Sequence, residues 1–379
     1  MDLWPFRPVA DAVETLEWKT EIIYAQAAEQ RIALRATPRV QYSFKHVLNQ
    51  DEYQSARFTA INNETFTVPD WFRQTALSPI SAGINVVIPQ FLGLVAGDVF
   101  LVWESETNFE YLTVASVASG NMTIGTVVNS YQKPIGLRIY TGFVDNGFSF
   151  DMSRDGLIYC NESFKLQPGP LSTAGTYSQY KSVDICPIEW RQNKGIENKI
   201  VWPTEVIDNS IGLFTEIRTR DTFDSTFNLL FLCFGTTEIE EARKWLMRCN
   251  GRQKAFWLSS QTENLKKALG TSGNNKLRVY QPTEGVSFYH PNLHIELVST
   301  SGTKYQFKVN SCAESSVIGG KKTLELTLDA NTPILSFDQI SKISWLYFVR
   351  LNNDRIEIQW GLGDAPSASI SVNCMEVPA

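Results

Sequence analysis

His290 and His294 are four residues apart, the spacing that on a helix offers two imidazoles to one metal ion. Pro291 and the strand pattern after it predict a turn and a strand instead, and His46 is the one other histidine. Ile318-Gly319-Gly320-Lys321-Lys322-Thr323 resembles a phosphate loop. It lacks the first glycine and a Ser or Thr directly after Lys321, and a strand follows where a helix is required, so it reads as a hairpin turn. Glu104, Glu106 and Glu110 lie beside Trp103, Phe109 and Tyr111, the residue types of a glycosidase or sugar site. An ordinary exposed hairpin has the same composition and is the preferred reading. No Gly-x-Ser-x-Gly elbow occurs. The sequence therefore predicts no catalytic, cofactor or metal site.

The elements that would position such groups are mostly strands. In 379 residues, 43% are hydrophobic and 12% aromatic, enough for large cores in two or three domains. Charged residues make up 20%, and 34 Lys+Arg against 40 Asp+Glu gives −6, which disfavours a basic nucleic-acid face. Asp2, Pro5 and Pro8 speak against a secretion signal, and the apolar stretch 86–103 is broken by Pro89, Gly93, Gly97 and Asp98, so no membrane span is expected. The six cysteines form no Cys-x-x-Cys pair and fit buried thiols of a chain made in a cytoplasm.

A repeated grammar organises the chain. Trp18-Lys19-Thr20-Glu21 returns as Trp202-Pro203-Thr204-Glu205, an offset of 184 residues. Ala56-Arg57 and Trp71 return as Ala242-Arg243 and Trp257 at an offset of 186. A β-rich run follows each tryptophan, with several short strands and Gly, Asn and Ser turns, the pattern of a small barrel. The reading is an internal duplication; coincidence between β-rich segments is the alternative. Residues 237–249 predict a helix, with Thr237 and Glu240 as a capping box, Ile239, Ala242, Trp245, Leu246 and Cys249 on one face, and Gly251 as the stop. A shorter helix is expected over 51–60.

The predicted class is mainly β with flanking helices. Its parts are a first tube-like ring domain (1–75), a small β-barrel (76–145), an irregular crossing segment (146–200), a second ring domain (201–265), a second barrel (266–350) and return strands (351–379).

Glu17-Trp18-Lys19-Thr20-Glu21 with Arg31 and Arg35 in Glu29-Gln30-Arg31-Ile32-Ala33-Leu34-Arg35 resembles the opening of tail proteins from phages with long non-contractile tails. Glu240-Glu241-Ala242-Arg243 leading into Gly251-Arg252-Gln253-Lys254-Ala255-Phe256-Trp257, then Ile343 to Tyr347 and Asp354 to Trp360, are similar to later landmarks of that family. The resemblance implies a non-enzymatic distal tail or baseplate-hub protein at the virion tail tip. Its partners would be copies of itself in a ring, the tail tube protein, hub and receptor-binding proteins, and DNA passing through the lumen. With two sectors per chain, a trimer of pseudo-six-fold geometry is favoured over a hexamer. Mild acidity suits a lumen that repels phosphate. A carbohydrate- or receptor-binding tail module is the alternative.

Overall fold

The computed structural model describes residues 2–9, 12–24, 29–144, 147–189, 197–202, 204–207, 215–218, 224–268, 274–281, 293–333, 335–362 and 366–377. The chain is mainly β, as expected. Its centre is a ribbon of eight strands in the spatial order Glu197–Val201, Asp224–Phe234, Ser367–Glu376, Arg355–Gly361, Ala12–Glu17, Arg39–Leu48, Ile158–Leu166 and Ser149–Met152, every neighbour antiparallel. Strict alternation builds it: Val40, Tyr42, Phe44, His46 and Leu48 are buried, while the residues between them face away from the core.

Two sets of strands share one connectivity. Reading across neighbouring strands, one row runs Thr65, Phe143, Lys165, Gln41, Thr15, and another runs Ala255, Arg350, Met375, Thr226, Lys199. Each set has a hairpin after its first strand, Thr20–Tyr24 with Glu29–Ala33 and Thr204–Ile207 with Thr215–Arg218. In each, a helix follows the second strand.

Asn49 caps the first helix, Gln50–Asn62, by accepting from the Asp51 and Glu52 amides, and Glu52 returns a bond to the Asn49 amide. The second helix, Gly235–Cys249, starts two residues before the expected position. Thr237 is not its cap; Phe234 is, and its amide donates to Glu238. Asn250 and Gly251 end it at φ 54° and 62°. Its predicted apolar face is buried as expected, each large side chain contributing about 1.5–3 kcal/mol. Both helices pack on the same side of the ribbon, in one core with Phe44, Phe164, Phe231 and Ile370.

Each set also carries an antiparallel insert with its own apolar core, one around Phe100, Leu112 and Ile124 and one around Leu277, Ile295 and Leu326. The strands Ile135–Val144 and Ile340–Leu351 belong to insert and body at once: Leu137 faces Leu101 while Thr141 faces Thr67, and Ile343 faces Leu297 while Val349 faces Phe256. Gly319 and Gly320, with φ 58° and 76°, form the expected hairpin turn between Lys304–Ile318 and Lys321–Leu328.

The segment 146–200 departs from the expected irregular crossing. Ser149–Met152 and Ile158–Leu166 are ribbon strands, the latter paired with Arg39–Leu48 over nine residues. The sequence there hides its alternation because buried Cys160 and Glu162 interrupt the apolar positions. After Leu166 the chain crosses the second helix, where Asp184 binds Arg248 and Tyr177 stacks edge-on against Trp245.

Candidate functional surface

The two strand sets meet where Ala12–Glu17 pairs with Arg355–Gly361. On the core side of this joint Glu14 is fully buried. Its carboxylate accepts from Arg243 Nη2 at 2.7 Å, Arg73 Nη2 at 3.3 and 3.4 Å, and Trp360 Nε1 at 3.2 Å. Burial alone would lower the Arg73 pKa, but Asp70 and Glu14 outweigh it and hold the guanidinium charged. At the strand end, Asp354 accepts from the Thr20 amide and hydroxyl and from the Arg252 amide, and Arg252 reaches back to the Thr20 carbonyl. Arg350, also buried, donates to Glu29 of the first hairpin at 2.7 and 3.1 Å. Opposite charges in a hydrogen-bonded seam, buried at Glu14 and Arg350 and partly exposed at Asp354 and Arg252, link the two sets.

The other face of the ribbon is mixed, with Val13, Leu230, Leu232 and the exposed Phe234 beside polar rows. Gln41, Ser43, Lys45, Asn161, Ser163 and Lys165 continue across the joint into Glu17, Glu357, Gln359, Ser369 and Ser371. Ser43 and Ser163 hydroxyls bond across strands at 2.7 Å. Charges of both signs are present on this face.

The sequence landmarks divide between structure and surface. Trp18 is buried and its Cβ lies 2.8 Å from where a Gly251 side chain would begin, which explains glycine there. Arg35 donates to the Glu17 carbonyl and Arg31 approaches Glu29 at 3.4 Å. Trp245 is buried in the core shared by both helices, and Trp257 donates to the Tyr180 carbonyl. Arg243 is buried while Arg57, its expected counterpart, is exposed. Glu21 and Glu205 are exposed on the hairpins. Trp71 and Trp257 are not counterparts: the cross-strand rows equate Thr65 with Ala255, so Trp257 holds the position of Thr67, and Trp71 opens a 3-10 turn. The joint residues Glu14, Arg73, Asp354 and Arg350 were not among the sequence candidates; Glu14 between Ala12 and Leu16 on an alternating strand was the available signal.

The groups that could do chemistry are held in structural roles. Glu104 accepts from the Gln132 and Lys133 amides, which hold its carboxyl below the usual range, and Glu110 accepts from the Val128 amide. Trp103 is buried and donates to the Pro5 carbonyl, so it is not an exposed sugar platform. His294 is buried against the Tyr180 hydroxyl at 3.1 Å. His290 lies outside the described residues, among which no cluster of metal-ligating side chains occurs. Among them, no helix is long and apolar enough to cross a membrane.

No known family matches this chain, and no curated protein matches it.

Proposed function

We propose that this chain is a duplicated structural protein of a phage tail tip, a distal tail or baseplate-hub component whose ribbon forms sectors of a ring around a DNA channel. The observation that carries the reading is the eight-strand antiparallel ribbon with helices and core on one side, a solvent-facing mixed face on the other, and, among the described residues, no further strand paired to either end strand. Repeated connectivity supports two sectors per chain, and three chains then supply six. The inserts project from the body as docking modules for neighbouring tail proteins. Gold-labelled antibody against the chain, applied to the virions whose genome encodes it, tests this. Label at the free end of the tail is the expected result; label elsewhere, or none on intact and disrupted particles, overturns it.

A further inference from the structure

The joint between the two strand sets uses one edge from each, Ala12–Glu17 and Arg355–Gly361. Each set has the other edge as well. Among the described residues Glu197–Val201, the counterpart of Ala12–Glu17, pairs only with Asp224–Phe234, and Ser149–Met152, the counterpart of Arg355–Gly361, pairs only with Ile158–Leu166. The positions that the internal joint buries are uncovered here. Trp18 is 2% exposed and its counterpart Trp202 is 43%; Leu16 is 0% and Ile200 is 60%. Trp360 is 4% and Met152 is 65%, and Arg350 is 0% against 39% for Phe143. Apolar side chains beside two open strand edges at the two ends of one ribbon are what a missing repeat of the joint leaves behind.

We propose that these edges are the two halves of a chain-to-chain contact: Glu197–Val201 of one copy adds to Ser149–Met152 of the next and reproduces the internal joint. Strand direction alternates along all eight strands, so the added strand arrives antiparallel, as the alternation requires. The register is set as well. Thr15 faces Glu357, the rows equate Thr15 with Lys199, and Met152 with Trp360, which equates Ser149 with Glu357; Lys199 therefore faces Ser149. The same register sets Asp151 opposite Glu197, a like-charge pair, with Lys199 on the diagonal from Asp151 to offset it. The contact is heterologous, head to tail, and closes into a ring or runs on as a filament. It rests on the ring reading only for its closure, and the second copy is identified by the internal joint itself.

The test mixes full-length Ser149→Cys with affinity-tagged Lys199→Cys and oxidises the mixture, with each variant alone and the parent chain as controls. A disulfide-linked product containing both chains and absent from the controls is expected. Adding Ile200→Asp to the tagged chain should lower its yield at least tenfold, with the circular dichroism of the fold retained. Should that variant unfold, the two cysteine variants alone decide. No mixed product at the highest soluble concentration, or an equal yield from either variant alone, overturns the contact. Multi-chain species by light scattering without the mixed product would keep the ring and reject this joint. A mixed product in a protein that antibody does not place at the tail tip would keep the joint and reject the tail reading.

Discussion

Glu14 and Arg243 lie 229 residues apart in the chain and 2.7 Å apart in the core, one on the strand that ends the first set at the joint and one on the helix of the second. Arg243 also donates to the Pro170 carbonyl and the Ser172 hydroxyl, so one guanidinium ties together the joint, the second helix and the crossing segment. Glu14→Ala leaves Arg243 and Arg73 short of a buried anion and should cost about 3–5 kcal/mol, read as a lower urea midpoint. The double variant Glu14→Met with Arg243→Met should recover much of that loss. An unchanged midpoint for the single variant would refute the role given to this pair.

Gly251 permits the close approach of Trp18 and Asp354. At φ 62° a side chain is strained, and a Cβ would lie 2.4 Å from Asp354 Oδ1. Gly251→Ala should destabilise by more than the about 1 kcal/mol expected from helix-end strain alone, because the Asp354 bonds to Thr20 and Arg252 must shift. Unfolding of Gly251→Ala and Asp354→Ala singly and together checks this, and their effects should be less than additive.

Glu162 is buried beside His46, Trp4 and Cys160, and burial raises its pKa despite His46. The folded chain then holds this proton to higher pH than the unfolded chain does. Between the ordinary carboxylate range and the raised value, stability from this group falls as pH rises. The stability of Glu162→Gln relative to the parent should therefore increase across that window. A difference that is flat or decreases with pH would contradict the sign.

Burial also raises the thiols of Cys160 and Cys249, and that of Cys186 to about 12. At neutral pH Cys160 and Cys249 should stay unlabelled by a thiol reagent until the protein is unfolded, and of the two partly exposed thiols Cys312 should react before Cys186, whose thiol is held further up. Peptide mapping after brief labelling identifies the order.

Glu104 fastens the turn before Ile135–Val144 through the Gln132 and Lys133 amides. Glu104→Ala should speed hydrogen exchange at those two amides while leaving the amides of Arg39–Leu48 unchanged. Equal acceleration at both places would assign Glu104 a global role instead.

The β class, the second helix and the Gly319-Gly320 turn were legible because each rests on local rules: alternation, the 3.6 period and positive φ. The tryptophan offset of 184 was legible because Trp18 and Trp202 start equivalent hairpins. The second offset misled at its tryptophans, since Trp71 and Trp257 do not share a backbone position, while Ala56 and Ala242 are both buried on the helices that follow equivalent strands. The strand Ile158–Leu166 was hidden because Cys160 and Glu162 occupy positions that alternation reserves for apolar residues, and only its tertiary partners Trp4 and His46 make them acceptable there. Asp354 and Arg350 were unreadable in these roles for a related reason: the partners that tie them across the joint, Thr20 and Glu29, lie more than three hundred residues away.

Ile135–Val144 and Ile340–Leu351 each pass from insert to body without a break. A module attached through a linker can swing; one attached through a shared strand is a lever with its fulcrum inside the sheet. A pull on either insert is delivered along a backbone already bonded to the body on both sides, so what these modules feel at the periphery reaches the ribbon as shear rather than being lost as free rotation.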